Sequence, residues 1–285
     1  MRIICLAVLL AFQSFIVGAE MKNSADDSLA NETRIKASAF ETKHFIIWYQ
    51  PRFFAADKVK EFSQKYEQAY DGIEKILSRS FDANHFHNQK IEVFLTKGGV
   101  SHVYGGYRHA DYDIPWIYLP AMMVQEDNSF YSHELTHLIT WKSSAHSLRE
   151  GLACWMQIKL YEEKIGLNTK KHGFTNRSEA DNNLRALLKE DKSSVIFESI
   201  GSAGIPSGTL TEVGGEFRSN YYTACYSFVA FLLDSMNMNN FMKLYEADDL
   251  PKASESVTGK DMNAWKTSWI IFLTSEPETA DKKNK

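Results

Sequence analysis

The sequence predicts an α+β fold. A small mixed sheet, one long helix and one motif-bearing helix fill the N-terminal half, and helices fill the C-terminal half. Three patterns carry that expectation. Short apolar runs rich in β-formers, at Phe45–Tyr49, Ile91–Leu95 and Trp116–Leu119, stop at proline, glycine or polar residues, as strands do. Between Asp57 and Leu77, apolar residues at Val59, Phe62, Tyr66, Ala69, Tyr70, Ile73, Ile76 and Leu77 follow helical spacing. From Phe130 onward the apolar residues again fall mostly at helical positions.

Residues 1–19 precede the fold. Arg2 gives a positive start, Ile3–Val17 is apolar apart from Gln13 and Ser14, and Val17-Gly18-Ala19 offers a small-residue cleavage site. This is the pattern of a secretory signal peptide, and its apolar run is short for a membrane span. The mature chain is therefore expected to be exported, secreted or periplasmic, with no membrane span of its own. Residues 20–40 are polar without a clean period and read as a flexible N-terminal arm. The domain occupies residues 41–275.

Within the domain, Phe45-Ile46-Ile47-Trp48-Tyr49 forms the first strand and Pro51 stops it. The long helix 57–77 follows. Ile91, Val93 and Leu95 alternate with Glu92, Phe94 and Thr96, a strand with one aromatic on its outer face. Gly98-Gly99 and Gly105-Gly106 punctuate the approach to another strand, Trp116–Leu119, which Pro120 ends. Asp181–Glu190 reads as a short helix. Gly201–Gly215, rich in glycine with Pro206, reads as a surface loop. Asn220–Ser235, Phe241–Leu244 and Asp261–Thr274 are helical, and the charged run Glu276–Lys285 is a disordered tail.

Composition narrows the class. With 285 residues, 44% hydrophobic and 13% aromatic, the chain can bury a substantial core. A net charge of −4 without a basic run gives no basis for binding nucleic acid. Removing the leader leaves Cys154 and Cys225. An oxidising compartment permits a disulfide between them, and their apolar neighbours equally suit two buried thiols. Nothing in the sequence speaks to oligomeric state.

The chemistry concentrates in His133-Glu134-Leu135-Thr136-His137. Residues four apart share a helix face, so both imidazoles can point at one ion while Glu134 reaches a water bound to it. Two histidines, a metal-polarised water and a carboxylate are the apparatus of peptide-bond hydrolysis. Phe130, Tyr131, Leu135, Leu138, Ile139 and Trp141 make this a helix with much apolar surface, as expected of a buried one. No cysteine cluster closes a structural four-ligand shell, which favours three protein ligands and an open position. Glu150 is the candidate third ligand. It opens a second helical run through Tyr161, far enough from His137 for the chain to turn and return. Gly151 beside it would let that helix pack closely against the first. His146 competes for the role, but a third histidine in the metzincin manner would stand at Ser143 with a glycine between.

The pair His133-Glu134-Leu135-Thr136-His137 and Arg149-Glu150-Gly151-Leu152-Ala153 resembles the gluzincin branch of zinc metallopeptidases, in particular the compact peptidase MA-like domains. The resemblance implies a zincin-like fold. It also implies Zn2+ held by His133, His137 and Glu150, with Glu134 as general base and proton shuttle, acting on a peptide or protein substrate. It further implies a tyrosine on the Asn220–Ser235 helix that hydrogen-bonds the oxyanion. Tyr222 is assigned that role and Tyr221 is its rival, since adjacent helix positions point about 100° apart. In gluzincins an edge strand ahead of the zinc helix binds the substrate backbone. Here that implies a cleft lined by Gly105–Tyr112, with Tyr107 and His109 as substrate-binding candidates.

One position departs from the family pattern. Many members carry a carboxylate four residues after the ligand glutamate, where it accepts a hydrogen bond from a ligand histidine. This chain has Cys154 there. A weak substitute, an ordinary core thiol and a mark of lost activity are all compatible with it. The departure keeps open a non-catalytic alternative, a zincin-like domain that binds peptides or proteins without cutting them. His44, His85, His87 and His172 lack any partner pattern and read as surface residues, whereas Trp141 and Trp155 read as core.

Overall fold

A computed structural model describes residues 36–96, 101–104, 115–120, 124, 130–143, 145–163, 165, 174–189, 194–202 and 214–275. The expected leader, most of the expected N-terminal arm, Tyr107, His109, His172, most of the expected Gly201–Gly215 loop and the expected tail lie outside the described residues.

The fold is mixed α+β. Five strands form one sheet in the order β1-β2-β3-β5-β4: β1 (Ser38–Glu41), β2 (Phe45–Tyr49), β3 (Ile91–Thr96), β4 (His102–Tyr104) and β5 (Trp116–Pro120). The three central strands are parallel, and β1 and β4 pair antiparallel at the two edges. Parallel neighbours need a crossover, and helix α1 (Ala56–Leu77) supplies the one between β2 and β3.

Register separates two chemistries on the two faces. Ile47 pairs with Val93, and Val93 with Ile117, so aliphatic side chains line the face under the main core. Trp48 pairs with Phe94, and Phe94 with Tyr118. These three and Trp116 form a separate aromatic cluster on the opposite face. The Glu92 carboxylate stands among them, accepting from Trp48 Nε1 at 2.6 Å and Trp116 Nε1 at 3.2 Å. Phe94 was expected on an outer face, yet it is fully buried.

Helix α1 packs through Val59, Phe62, Tyr66, Ala69, Tyr70, Ile73 and Leu77, all buried and spaced to form one stripe. It ends at Ser78, whose left-handed backbone (φ 51°) returns its N–H to the Glu74 and Lys75 carbonyls. At its side His44 stacks on Tyr70 at 3.9 Å. The His44 backbone and ring bond the Glu67 carboxylate at 2.9 and 2.6 Å. Burial alone would raise the pKa of Glu67. Bonds from Thr42 and His44 outweigh burial and hold it below the usual carboxylate value.

Beyond the sheet come α2 (Phe130–Ile139), α3 (His146–Glu162), α4 (Arg177–Leu187), α5 (Ser194–Ser199), α6 (Gly214–Ser235), α7 (Met238–Tyr245), α8 (Leu250–Thr258) and α9 (Met262–Thr274). Asn176, Asn237, Asp249 and Asp261 each cap a helix by accepting a backbone N–H three residues on, the bond that short polar caps make. α3 and α6 share the most extensive helix contact among the described elements. A buried chain of hydrogen bonds joins α4, α6 and α9. Trp269 Nε1 donates to Ser227 Oγ at 3.0 Å, Ser227 Oγ donates to Asp181 at 2.5 Å, and Arg177 Nε donates to the other Asp181 oxygen at 2.6 Å.

Several expectations change in detail. The sheet begins at Ser38, inside the stretch expected to be a flexible arm, and the edge strand β4 lies at His102–Tyr104, just ahead of the Gly105–Tyr112 stretch that the resemblance pointed to. The short helix starts at Arg177 rather than Asp181, because Asn176 caps it. His44 and His85 are partly buried, not surface residues, and His85 stacks on Trp141 at 3.8 Å. Cys154 and Cys225 are two buried free thiols. No helix among the described residues is long and apolar enough to cross a membrane.

Candidate metal centre

α2 is buried from Ser132 onward, so its polar side chains are buried with it. His133, Glu134 and His137 are each less than a tenth exposed. One helical turn puts His133 and His137 side by side, their rings perpendicular and 4.6 Å apart. α3 packs against α2 and brings in Glu150.

Three Lewis-basic atoms converge. His133 Nε2 and His137 Nε2 lie 3.0 Å apart, and Glu150 Oε2 lies 3.1 Å from the first and 3.3 Å from the second. Ligand atoms about 2.0–2.1 Å from a tetrahedral ion sit roughly 3.3 Å from one another, so this spacing fits one shared ion. Two neutral nitrogens and a carboxylate oxygen suit a divalent first-row metal. These three residues are the group among the described residues able to hold a metal ion. Burial alone would raise the Glu150 pKa, but the imidazoles of His137, His133 and His146 hold it well below the usual carboxylate range.

Support around the ligands is uneven. Glu150 is held from behind: its Oε1 faces His146 Nε2 at 3.5 Å and Arg149 Nε at 3.7 Å. His146 Nδ1 in turn meets the Tyr221 hydroxyl at 3.1 Å. The histidine considered as a third ligand therefore stands behind the real candidate. The two ligand histidines fare worse. With Nε2 directed at an ion, Nδ1 must carry the proton and needs an acceptor. His133 Nδ1 faces Cys154 Sγ at 3.8 Å, a weak acceptor. Burial, then Glu150, pushes the Cys154 thiol well above its ordinary pKa, which keeps it neutral. His137 Nδ1 is buried with no hydrogen-bond partner among the described residues. Cys154 is thus a core thiol and a weak stand-in for the absent carboxylate at once.

Gly151 has a different partner from the one expected. A Cβ there would lie 2.3 Å from the Cys225 carbonyl oxygen and 2.5 Å from Val229 Cγ2. Both belong to α6, so the glycine admits α6 against α3, not α2 against α3.

The two tyrosines of α6 face different partners. Tyr221 turns to His146, while the Tyr222 ring lies 6.0 Å from the His133 ring. Burial, then Glu150, raises the Tyr222 pKa well above the ordinary phenol value, so it stays a donor at neutral pH. Arg218, one turn earlier, hydrogen-bonds the Tyr222 hydroxyl and stands 5.6 Å from its ring centroid. Arg218 is absent from the sequence-derived candidates. Its position four residues before Tyr222 was the available signal. The cleft residues Tyr107 and His109 lie outside the described residues, but β4, at the sheet edge, lies against α2.

A scan of protein-family models finds no match to this chain, and a search of curated proteins finds no similar sequence.

Proposed function

We propose that the chain is an exported zinc-dependent peptidase with a zincin-like fold of the gluzincin kind. The observation that carries this is the convergence of His133 Nε2, His137 Nε2 and Glu150 Oε2 to within 3.3 Å of one another, with Glu134 next along the same turn. A merely structural site has no use for that carboxylate. The bound zinc would supply a water of pKa lowered toward about 7 and a Lewis acid for the carbonyl. Glu134 takes the proton of the attacking water and returns it to the leaving amine. Tyr222 donates to the oxyanion, a contribution on the order of 3 kcal/mol. β4 offers its edge to an extended peptide, and residues 1–19 direct export.

A second proposal, a zinc-bound module that holds peptides without cutting them, draws on the neutral Cys154 behind His133 and on His137 Nδ1, which has no partner among the described residues. Loss of such outer partners typically costs about 10–100-fold in metal affinity or activity. Glu134→Gln separates the two. A peptidase keeps its zinc content and loses hydrolysis. Activity that survives the change refutes Glu134 as the base, and a wild type with no zinc-dependent cleavage of a broad peptide library refutes the peptidase.

A further inference from the structure

Arg218 has no task in the hydrolysis described above. It sits one turn from Tyr222 on the same face of α6, exposed to solvent at the outer end of a stack that runs inward through Tyr222 to His133. Several cations of the fold have carboxylate partners, among them Arg79 with Glu246, Arg177 with Asp181, Lys142 with Asp82, and Arg149 with Glu150 itself, whereas Arg52 and Arg185 bond neutral oxygens. Among the described residues no carboxylate pairs with Arg218 at ion-pair distance.

The charge balance sharpens the point. The Tyr222 oxygen, then Glu150 and Glu134, favour the charged guanidinium. A divalent ion in the His133–His137–Glu150 site would cancel the two glutamates, leaving the rim cation with no carboxylate counter-charge among the described residues. A guanidinium fork matches a carboxylate with two parallel N–H···O bonds.

We infer that Arg218 is a specificity-determining residue of this site: it binds a substrate carboxylate, so the preferred peptides carry an acidic side chain or a free C-terminus near the scissile bond. This rests on the metal-site proposal above. One charge-assisted pair of this kind discriminates roughly 10- to 100-fold between a carboxylate and its neutral isostere. Because the guanidinium is exposed, that preference weakens with added salt.

The test uses the full zinc-loaded chain and peptide pools matched except at one group. One pair of pools exchanges Glu for Gln beside the randomised bond, and the other exchanges a C-terminal carboxylate for an amide. Cleavage is read as kcat/KM, and binding of the same pools to Glu134→Gln is read by calorimetry. The expected result is a preference of roughly 10- to 100-fold for the acid form in one pair, collapsing toward one in Arg218→Ala and partly restored in Arg218→Lys. The pair that responds identifies the source of the carboxylate. An acid-to-neutral ratio that Arg218→Ala leaves intact overturns the inference, as does a wild type with no ratio at all. If Arg218→Ala lowers kcat equally on every pool, the residue acts through Tyr222 and the inference also falls. Arg218-dependent binding without cleavage would refute the peptidase and leave this inference standing; cleavage without acid preference would do the reverse.

Discussion

Gly151→Ala puts the packing of the site under the most direct strain. The added carbon would stand 2.3 Å from the Cys225 carbonyl oxygen, about 1 Å inside ordinary contact at 3.4 Å, and 2.5 Å from Val229 Cγ2. The nearest obstacle is backbone, so no rotamer change relieves it, and α3 and α6 must part. Overpacking a core by a methyl costs about 1–3 kcal/mol, and a backbone clash belongs at the top of that range. Alanine regains about 1 kcal/mol of helix propensity over glycine. The net is a loss of about 2 kcal/mol, or a Tm lower by roughly 4–8 °C for a domain of this size. Glu150 is the adjacent residue, so zinc affinity should fall as well, by roughly 10- to 100-fold. Thermal unfolding and competition with a chromophoric chelator measure both effects. Gly72→Ala is the control. Its new carbon would meet Leu160 Cδ2 at 2.8 Å and Ile165 Cδ1 at 3.1 Å, both ends of side chains that can turn away, so stability should change by less than about 1 kcal/mol. If Gly151→Ala unfolds at or above the wild-type temperature with zinc affinity intact, the close approach of α3 and α6 is not what positions Glu150.

Three further outcomes follow from other parts of the fold. Cys154→Ala should weaken zinc binding by less than about tenfold in the same chelator competition, since the thiol it removes from His133 Nδ1 is a weaker acceptor than a carboxylate. Ser227→Ala strips buried Asp181 of a hydroxyl donor and Trp269 of its acceptor, and should cost about 1.5–3 kcal/mol in urea unfolding. The Glu67 pKa is depressed in the fold from its ordinary value of 4.5. Its stabilising contribution is therefore complete above that value and disappears as pH falls through the lower, folded-state pKa. Glu67→Gln should flatten the decline of stability below about pH 4.5, and an unchanged decline would remove His44 and Thr42 as the cause.

Much of the metal group was legible because it depends on short-range geometry. The spacing of His133 and His137 follows from helical pitch, and Glu150 could be chosen from the length of the connection and the glycine after it. The buried stripe of α1 and the central strands are equally local in origin; the caps Asn176, Asn237 and Asp249 are local too, yet the starts of their helices were not read from the sequence. What escaped depends on contacts far apart in sequence. Ser38–Glu41 is short and half-exposed, so its strand character comes from pairing with β2 rather than from its own pattern. His146 is set apart from an ordinary histidine by Tyr221, 75 positions later. Gly151 was assigned the wrong neighbour because a glycine announces a close approach without naming what approaches. Arg218 resembles any arginine at a helix start until its neighbours are known.

α6 contributes to the candidate metal site on more than one side. Successive residues Tyr221 and Tyr222 serve different sides of the site, one bracing the carboxylate ligand through His146 and the other facing the imidazole of His133. A turn of this helix about its axis would disengage both, and a slide would lift the Cys225 carbonyl from the notch that Gly151 leaves. α6 therefore acts as a key in a lock with one fitting position. On the proposed reading, a ligand that pulls on Arg218 loads the same helix whose Tyr221 and Tyr222 stand beside the metal-site residues, so binding at the rim and the geometry around His133 and Glu150 move together.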